Sequence, residues 1–141
     1  MTVKISEFDP QAGWLRIDIV GNAVAAGLVG EVENPEGVLL QVYDGILYIE
    51  EGAHAAAEFN VGFAATGVDN DDMLDGFTMN KSDGTIYKAV GTDLAAESAG
   101  THPKGHLWST AELLTVTSAA QVSTGLLASL FLRYIRLSDQ K

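Results

Sequence analysis

The chain has 141 residues, 47% of them apolar, 19% charged and none of them cysteine, with a formal net charge of −11. The composition excludes disulfides, thiolate metal sites and cysteine nucleophiles, and so negative a balance argues against coating nucleic acid or an anionic lipid surface. No apolar run approaches the ~20 residues of a membrane span, and the length predicts a single domain.

Residues 1–13 read as a short N-terminal arm, polar and broken by Asp9-Pro10 and Gly13. The first seven residues lack the apolar core of a secretory signal, so synthesis in the cytoplasm is expected. A single β domain is predicted over 14–141. Trp14 to Val20 alternates, with Leu15, Ile17 and Ile19 on one face and Arg16 and Asp18 on the other, as a half-buried strand does. Ala23 to Val32, with Gly27 and Gly30, is weak for a helix and acceptable as an irregular strand. Asn34-Pro35-Glu36-Gly37 is a turn, because proline presets φ and glycine permits positive φ.

Val38 to Glu50 is the strongest β segment, interrupted by Asp44-Gly45 as either a bulge or a tight hairpin. Glu58 to Thr66 alternates again and places Phe59, Val61, Phe63 and Ala65 together. Asp75-Gly76 and Asp83-Gly84 read as further turn signals, the second opening a strand near Thr85 to Val90. Residues 91–106 are loop-like, and Leu107 to Thr117 reads as one strand. Gly125 to Leu137 fits either a helix with Leu126, Leu127, Leu130, Phe131, Tyr134 and Ile135 on one face, or a strand with Leu130, Leu132 and Tyr134 opposing Phe131, Arg133 and Ile135. The β setting and the missing helix cap favour the strand. About seven or eight short strands between Gly, Asp and Asn turns predict an all-β antiparallel sandwich or barrel, jelly-roll-like.

The sequence offers little for chemistry. Asp69-Asn70-Asp71-Asp72-Met73-Leu74-Asp75-Gly76 is densely acidic, but an EF-hand starting at Asp69 would have Met73 fifth, Leu74 sixth and Asn80 twelfth, and it fails. A plain acidic turn is the simpler reading of 69–75, with cation binding by another geometry left open. His102 and His106 stand four apart, but Pro103 and Gly105 forbid the helix that would bring the rings to one face. His54 reads as a surface residue. No nucleophile elbow and no phosphate-cradling glycine loop is present. Trp14 and Trp108 could form a sugar-stacking platform, with core the ordinary role of each. No catalytic, cofactor-binding or metal-ligating residue is assigned, and no cofactor is expected.

Charge is unevenly spread. From Glu31 to Glu97 there are seven Glu, seven Asp and two Lys, whereas the remainder of the chain is nearly neutral. A solvated acidic face accounts for this; a sharper reading has the acidic middle facing solvent and the sparsely charged ends meeting a partner.

The run Gly30-Glu31-Val32-Glu33-Asn34-Pro35-Glu36-Gly37-Val38 leads into a β segment, and an Ala/Phe/Val strand ends near Ala64-Ala65-Thr66-Gly67. Asp72-Met73-Leu74-Asp75-Gly76 follows, then small residues into Gly125-Leu126-Leu127-Ala128 and Tyr134-Ile135. In size and order this resembles the small β-rich virion proteins of tailed bacteriophages, in particular capsid decoration (cement) proteins, over roughly residues 28–137. The resemblance rests on turns and alternation and transfers no functional residue. It implies a non-enzymatic protein on the outer capsid surface of the virion. Its partners would be the major capsid protein and itself, as a homotrimer, with neither nucleic acid nor membrane bound. The alternative is a carbohydrate- or receptor-binding β-module of a tail or fibre.

Overall fold

Period-two alternation decides the architecture, since a strand with one apolar face must bury that face against another sheet. The computed structural model of the chain describes residues 3–55, 58–64, 74–78, 83–88, 106–119 and 121–138. Among them are ten strands and no helix: β1 (Val3–Asp9), β2 (Trp14–Val20), β3 (Gly27–Glu33), β4 (Leu39–Glu51) and β5 (Glu58–Ala64), then β6 (Leu74–Thr78), β7 (Thr85–Lys88), β8 (His106–Trp108), β9 (Leu113–Ser118) and β10 (Leu127–Ser138). Every pairing is antiparallel. The first sheet runs β1-β2-β10-β4-β7, with β8 also on β4, and the second runs β3-β9-β5-β6. The two sheets form a sandwich and are not closed into a barrel.

The core lies between them. Leu15, Ile17 and Ile19 of β2, Leu40, Leu47 and Ile49 of β4, and Leu130 and Leu132 of β10 face Phe59, Val61 and Phe63 of β5 and Leu114 and Val116 of β9, all buried. The alternation read in β2 and β5 is the alternation observed; Ala65 lies outside the described residues. The final apolar segment is the strand β10, paired with β2 on one side and with β4 on the other.

Several elements differ from expectation. The segment expected as an arm is largely the edge strand β1: Val3 is buried and pairs with Ile19, and Ile5 pairs with Ile17. Asp9-Pro10 to Gly13 is its hairpin turn, in which the Asp9 carboxylate accepts the N–H groups of Gln11 and Ala12 at 3.1 Å. Leu107 to Thr117, read as one strand, is two. At residues 109–112 the chain leaves β8 in the first sheet and enters β9 in the second, so an apolar run spans a corner between layers. Asp75-Gly76 lies within β6 rather than in a turn. Such extra short strands raise the total above seven or eight.

Asp44-Gly45 makes a bulge. Arg133 pairs with Asp44 and Tyr134 with Val42, which leaves Tyr43 as the additional residue of β4. Asn34-Pro35-Glu36-Gly37 is the expected turn, with the Asn34 side-chain oxygen accepting the N–H groups of Glu36 at 3.0 Å and Gly37 at 3.2 Å. Gly37 has φ +70°, the left-handed region that side chains disfavour.

Candidate interaction face

The residues singled out for chemistry do not gather into one site. His102 and Asp69 to Met73 lie outside the described residues. His54 is exposed, and its ring stands against Gly125. The His106 ring stacks on Phe63, centroids 4.5 Å apart and planes 7° from parallel, with its Nε2 3.7 Å from a Glu112 oxygen. Trp108 is fully buried and donates its indole N–H to the Glu112 carbonyl at 2.9 Å, so it is a core residue and cannot stack on a sugar beside Trp14. Among the described residues no group of three or more His, Asp and Glu could hold a metal ion.

One polar cluster was not anticipated. The Glu36 carboxylate accepts the Tyr134 hydroxyl at 2.6 Å and Arg136 Nη1 at 2.9 Å, clasping the turn before β4 onto β10. Tyr134 and Arg136 stand two apart on one strand, the only hint the sequence carried. Burial, then the hydrogen bond to Glu36, then the carboxylate's charge push the Tyr134 phenol well above its ordinary value. The unfolded chain therefore releases this proton near pH 10 while the folded chain keeps it. Folding stability is fully present below that pH and falls as pH rises above it. Tyr134→Phe is expected to cost about 1–2 kcal/mol at neutral pH and to flatten part of the alkaline decline in a series of urea melts. An unchanged alkaline limb would remove Tyr134 as its source.

The two sheets present very different outer surfaces. On β9, at the middle of the second sheet, the positions between the core residues are Thr115 and Thr117, both buried, and the Thr115 hydroxyl donates to the Gly62 carbonyl at 3.4 Å. The first sheet instead carries large apolar side chains outward. Ile86 is 63% exposed, Leu107 52% and Ile135 50%, and Val20, Tyr43, Ile46, Phe131 and Leu137 are also exposed. Register joins them: Phe131 pairs with Ile46, Ile86 with Tyr48, and both Ile135 and Leu107 with Gln41. Phe8, the remaining exposed large apolar residue among those described, pairs with the inward Leu15 and belongs to the sheet edge. The bulge adds Tyr43 to this face.

The face is ordered by its polar groups. Arg16 bonds Asp18 at 3.0 Å and Glu7 at 3.2 Å, and its guanidinium carbon lies 5.7 Å from the Phe131 ring centroid. Beside Phe131 a hollow of about 420 Å³ opens between Trp14, Leu132 and Arg133. Another of about 340 Å³ lies between the β1–β2 turn, Tyr43 and Ile135. The larger hollow, about 760 Å³, is elsewhere, between the edge strands β1 and β3, lined by Lys4, Ile5, Glu31 and Glu33 among others. The strand reading already set Phe131 and Ile135 opposite Leu130, Leu132 and Tyr134, but both faces of that strand are rich in large apolar residues, so the sequence did not show that one of them points to solvent. No family model, curated sequence or solved structure matches the chain.

Proposed function

We propose that this protein is a non-enzymatic structural component of a tailed-bacteriophage virion, binding the outer capsid surface and stabilising the head. The observation that carries the reading is the apolar outer face of the six-stranded sheet. Several large apolar side chains exposed on one sheet face mark a surface that an assembly can cover. Burial at about 25 cal/mol per Å² makes such a face adhesive without any reaction, and repetition over a shell turns modest single contacts into firm attachment.

The sparsely charged chain ends supply β1, β2 and β10, which lie side by side in the sheet that bears the apolar face. The acidic middle is divided between the sheets, supplying β4 and β7 of the first and β5 and β6 of the second. The partners in this reading are the major capsid protein and further copies of the chain.

Quantitative mass spectrometry of purified particles tests it. A copy number of the same order as the major capsid protein is expected. Absence from the particle overturns the reading, and a handful of copies per particle moves the protein to the tail or fibre.

A further inference from the structure

We infer that Asp44-Gly45 is a site of spontaneous covalent modification, where the chain converts through a cyclic imide to the β-linked isoaspartyl form with water as the only co-reactant. The inference is independent of the virion reading. It rests on the hydrogen bonding of two Asp-Gly pairs and on the register of β4 with its neighbours.

An aspartate followed by glycine can cyclise because the next backbone nitrogen lies within reach of the side-chain carboxyl, and glycine adds no side chain to crowd the approach. Three such pairs occur, Asp44-Gly45, Asp75-Gly76 and Asp83-Gly84, of which the second lies within β6. At Asp83-Gly84 the reacting groups are engaged elsewhere. The Gly84 N–H donates to the Ile49 carbonyl at 2.7 Å, and the Asp83 carboxylate accepts the Gly52 N–H at 3.3 Å. At Asp44-Gly45 they are engaged with each other: the Gly45 N–H donates to Asp44 Oδ1 at 2.9 Å, so nucleophile and carboxyl are already in contact. The register of β4 explains this. The Ile49 carbonyl points toward β7, and alternate residues of a strand share that direction, so the Gly45 N–H points to the same side. On that side the pairing of β7 with β4 ends at Ile46, and that of β8 begins at Val42. Gly45 falls between the two, and its N–H turns to its own neighbour's carboxylate.

The chemistry balances with water alone. With the Asp44 carboxyl protonated, the Gly45 nitrogen bonds to Cγ, and one carboxyl oxygen leaves as water, carrying the acid proton and the amide proton. The product is a cyclic imide. Water then adds to the Asp44 backbone carbonyl carbon, the bond from that carbon to the Gly45 nitrogen breaks, and the nitrogen regains a proton. The main chain now runs through the Asp44 side chain, one carbon longer, and the former backbone carbonyl is a free carboxylate. The bulge is a place that can take the additional atom, because Tyr43 is already the extra residue of β4 against β10. Tyr43 and Ile46 stand exposed on either side, so the change falls within the apolar outer face.

Prolonged incubation of the purified full chain at physiological temperature, folded and in guanidinium chloride, tests this. Peptides are then mapped by electron-transfer fragmentation, which separates isoaspartyl from aspartyl linkages. In the folded chain Asp44 is expected to convert on the order of tenfold faster than Asp83, whereas in denaturant the two should convert at similar rates. Asp44→Asn should speed conversion at this position, since the same imide forms with ammonia as the leaving group. Asp44→Glu, whose longer side chain disfavours ring closure, should stop it. A linkage at Asp44 that stays intact in the folded chain, or an Asp83 linkage that converts as fast as Asp44 there, overturns the inference. Neither result touches the particle copy number, so failure here is distinguishable from failure of the virion reading.

Discussion

Replacing Trp108 by alanine is expected to cost about 3–5 kcal/mol, the range for truncating a large aromatic in a close-packed core. Trp108 is fully buried, its ring centroid lies 5.0 Å from that of Phe63, and its indole N–H satisfies the Glu112 carbonyl. Its own carbonyl accepts Asn34 Nδ2 at 3.0 Å. One residue thus ties together β8, the corner that leads to β9, and the turn before β4. Urea unfolding followed at Trp14 should show a large fall in midpoint with an unchanged slope. Trp108→Phe keeps most of the volume and should cost distinctly less. A loss under about 1 kcal/mol for the alanine variant would mean that the corner repacks freely, contrary to this account.

Gly21→Ala should be nearly as damaging, at about 3 kcal/mol, through crowding rather than a void. The Gly21 N–H donates to the Leu126 carbonyl at 2.9 Å, and a methyl group on Gly21 would collide with the backbone carbonyl of Ser123. Backbone cannot rotate away as a side chain can. The junction is otherwise fully bonded: Ser123 Oγ accepts the Asn22 N–H at 2.9 Å, and the Ser123 N–H donates to the Asn22 carbonyl at 3.0 Å. Ser123→Ala removes the hydroxyl but not the obstructing carbonyl and should cost about 1–2 kcal/mol. Equal losses in the two variants would show that close approach is not what makes Gly21 intolerant.

These two positions illustrate what could be read in advance. Strict alternation in β2 and β5 identified core residues because Leu15, Ile17 and Ile19, like Phe59, Val61 and Phe63, all point to the space between the sheets. Asn34-Pro35-Glu36-Gly37 was legible because its geometry is local. Trp108 and Gly21 owe their importance to partners far along the chain. Nothing in a run such as Leu107 to Thr117 marks where it crosses from one sheet to the other, since both halves are apolar for the same reason. β1 was obscured by its polar outward residues, which are what a sheet edge requires. The candidate face was hidden differently: outward isoleucines and a phenylalanine look like core until the sheet shows which way they point.

The position of β10 has a consequence for how the protein is made. It is the last of the described strands to be synthesised, yet it lies between β2 and β4 and pairs with both along most of its length. Until it emerges from the ribosome, the two halves of the first sheet have no strand to join them, and the Asn22–Ser123 contact must close over 101 residues. Folding is therefore a late, non-local event, in the slow millisecond-to-second class of sandwich proteins. The unfinished chain meanwhile exposes the edges of β2 and β4, one on each side of the gap. A nascent chain with two open edges is a substrate for chaperones, and also for premature pairing with its neighbours on the same message.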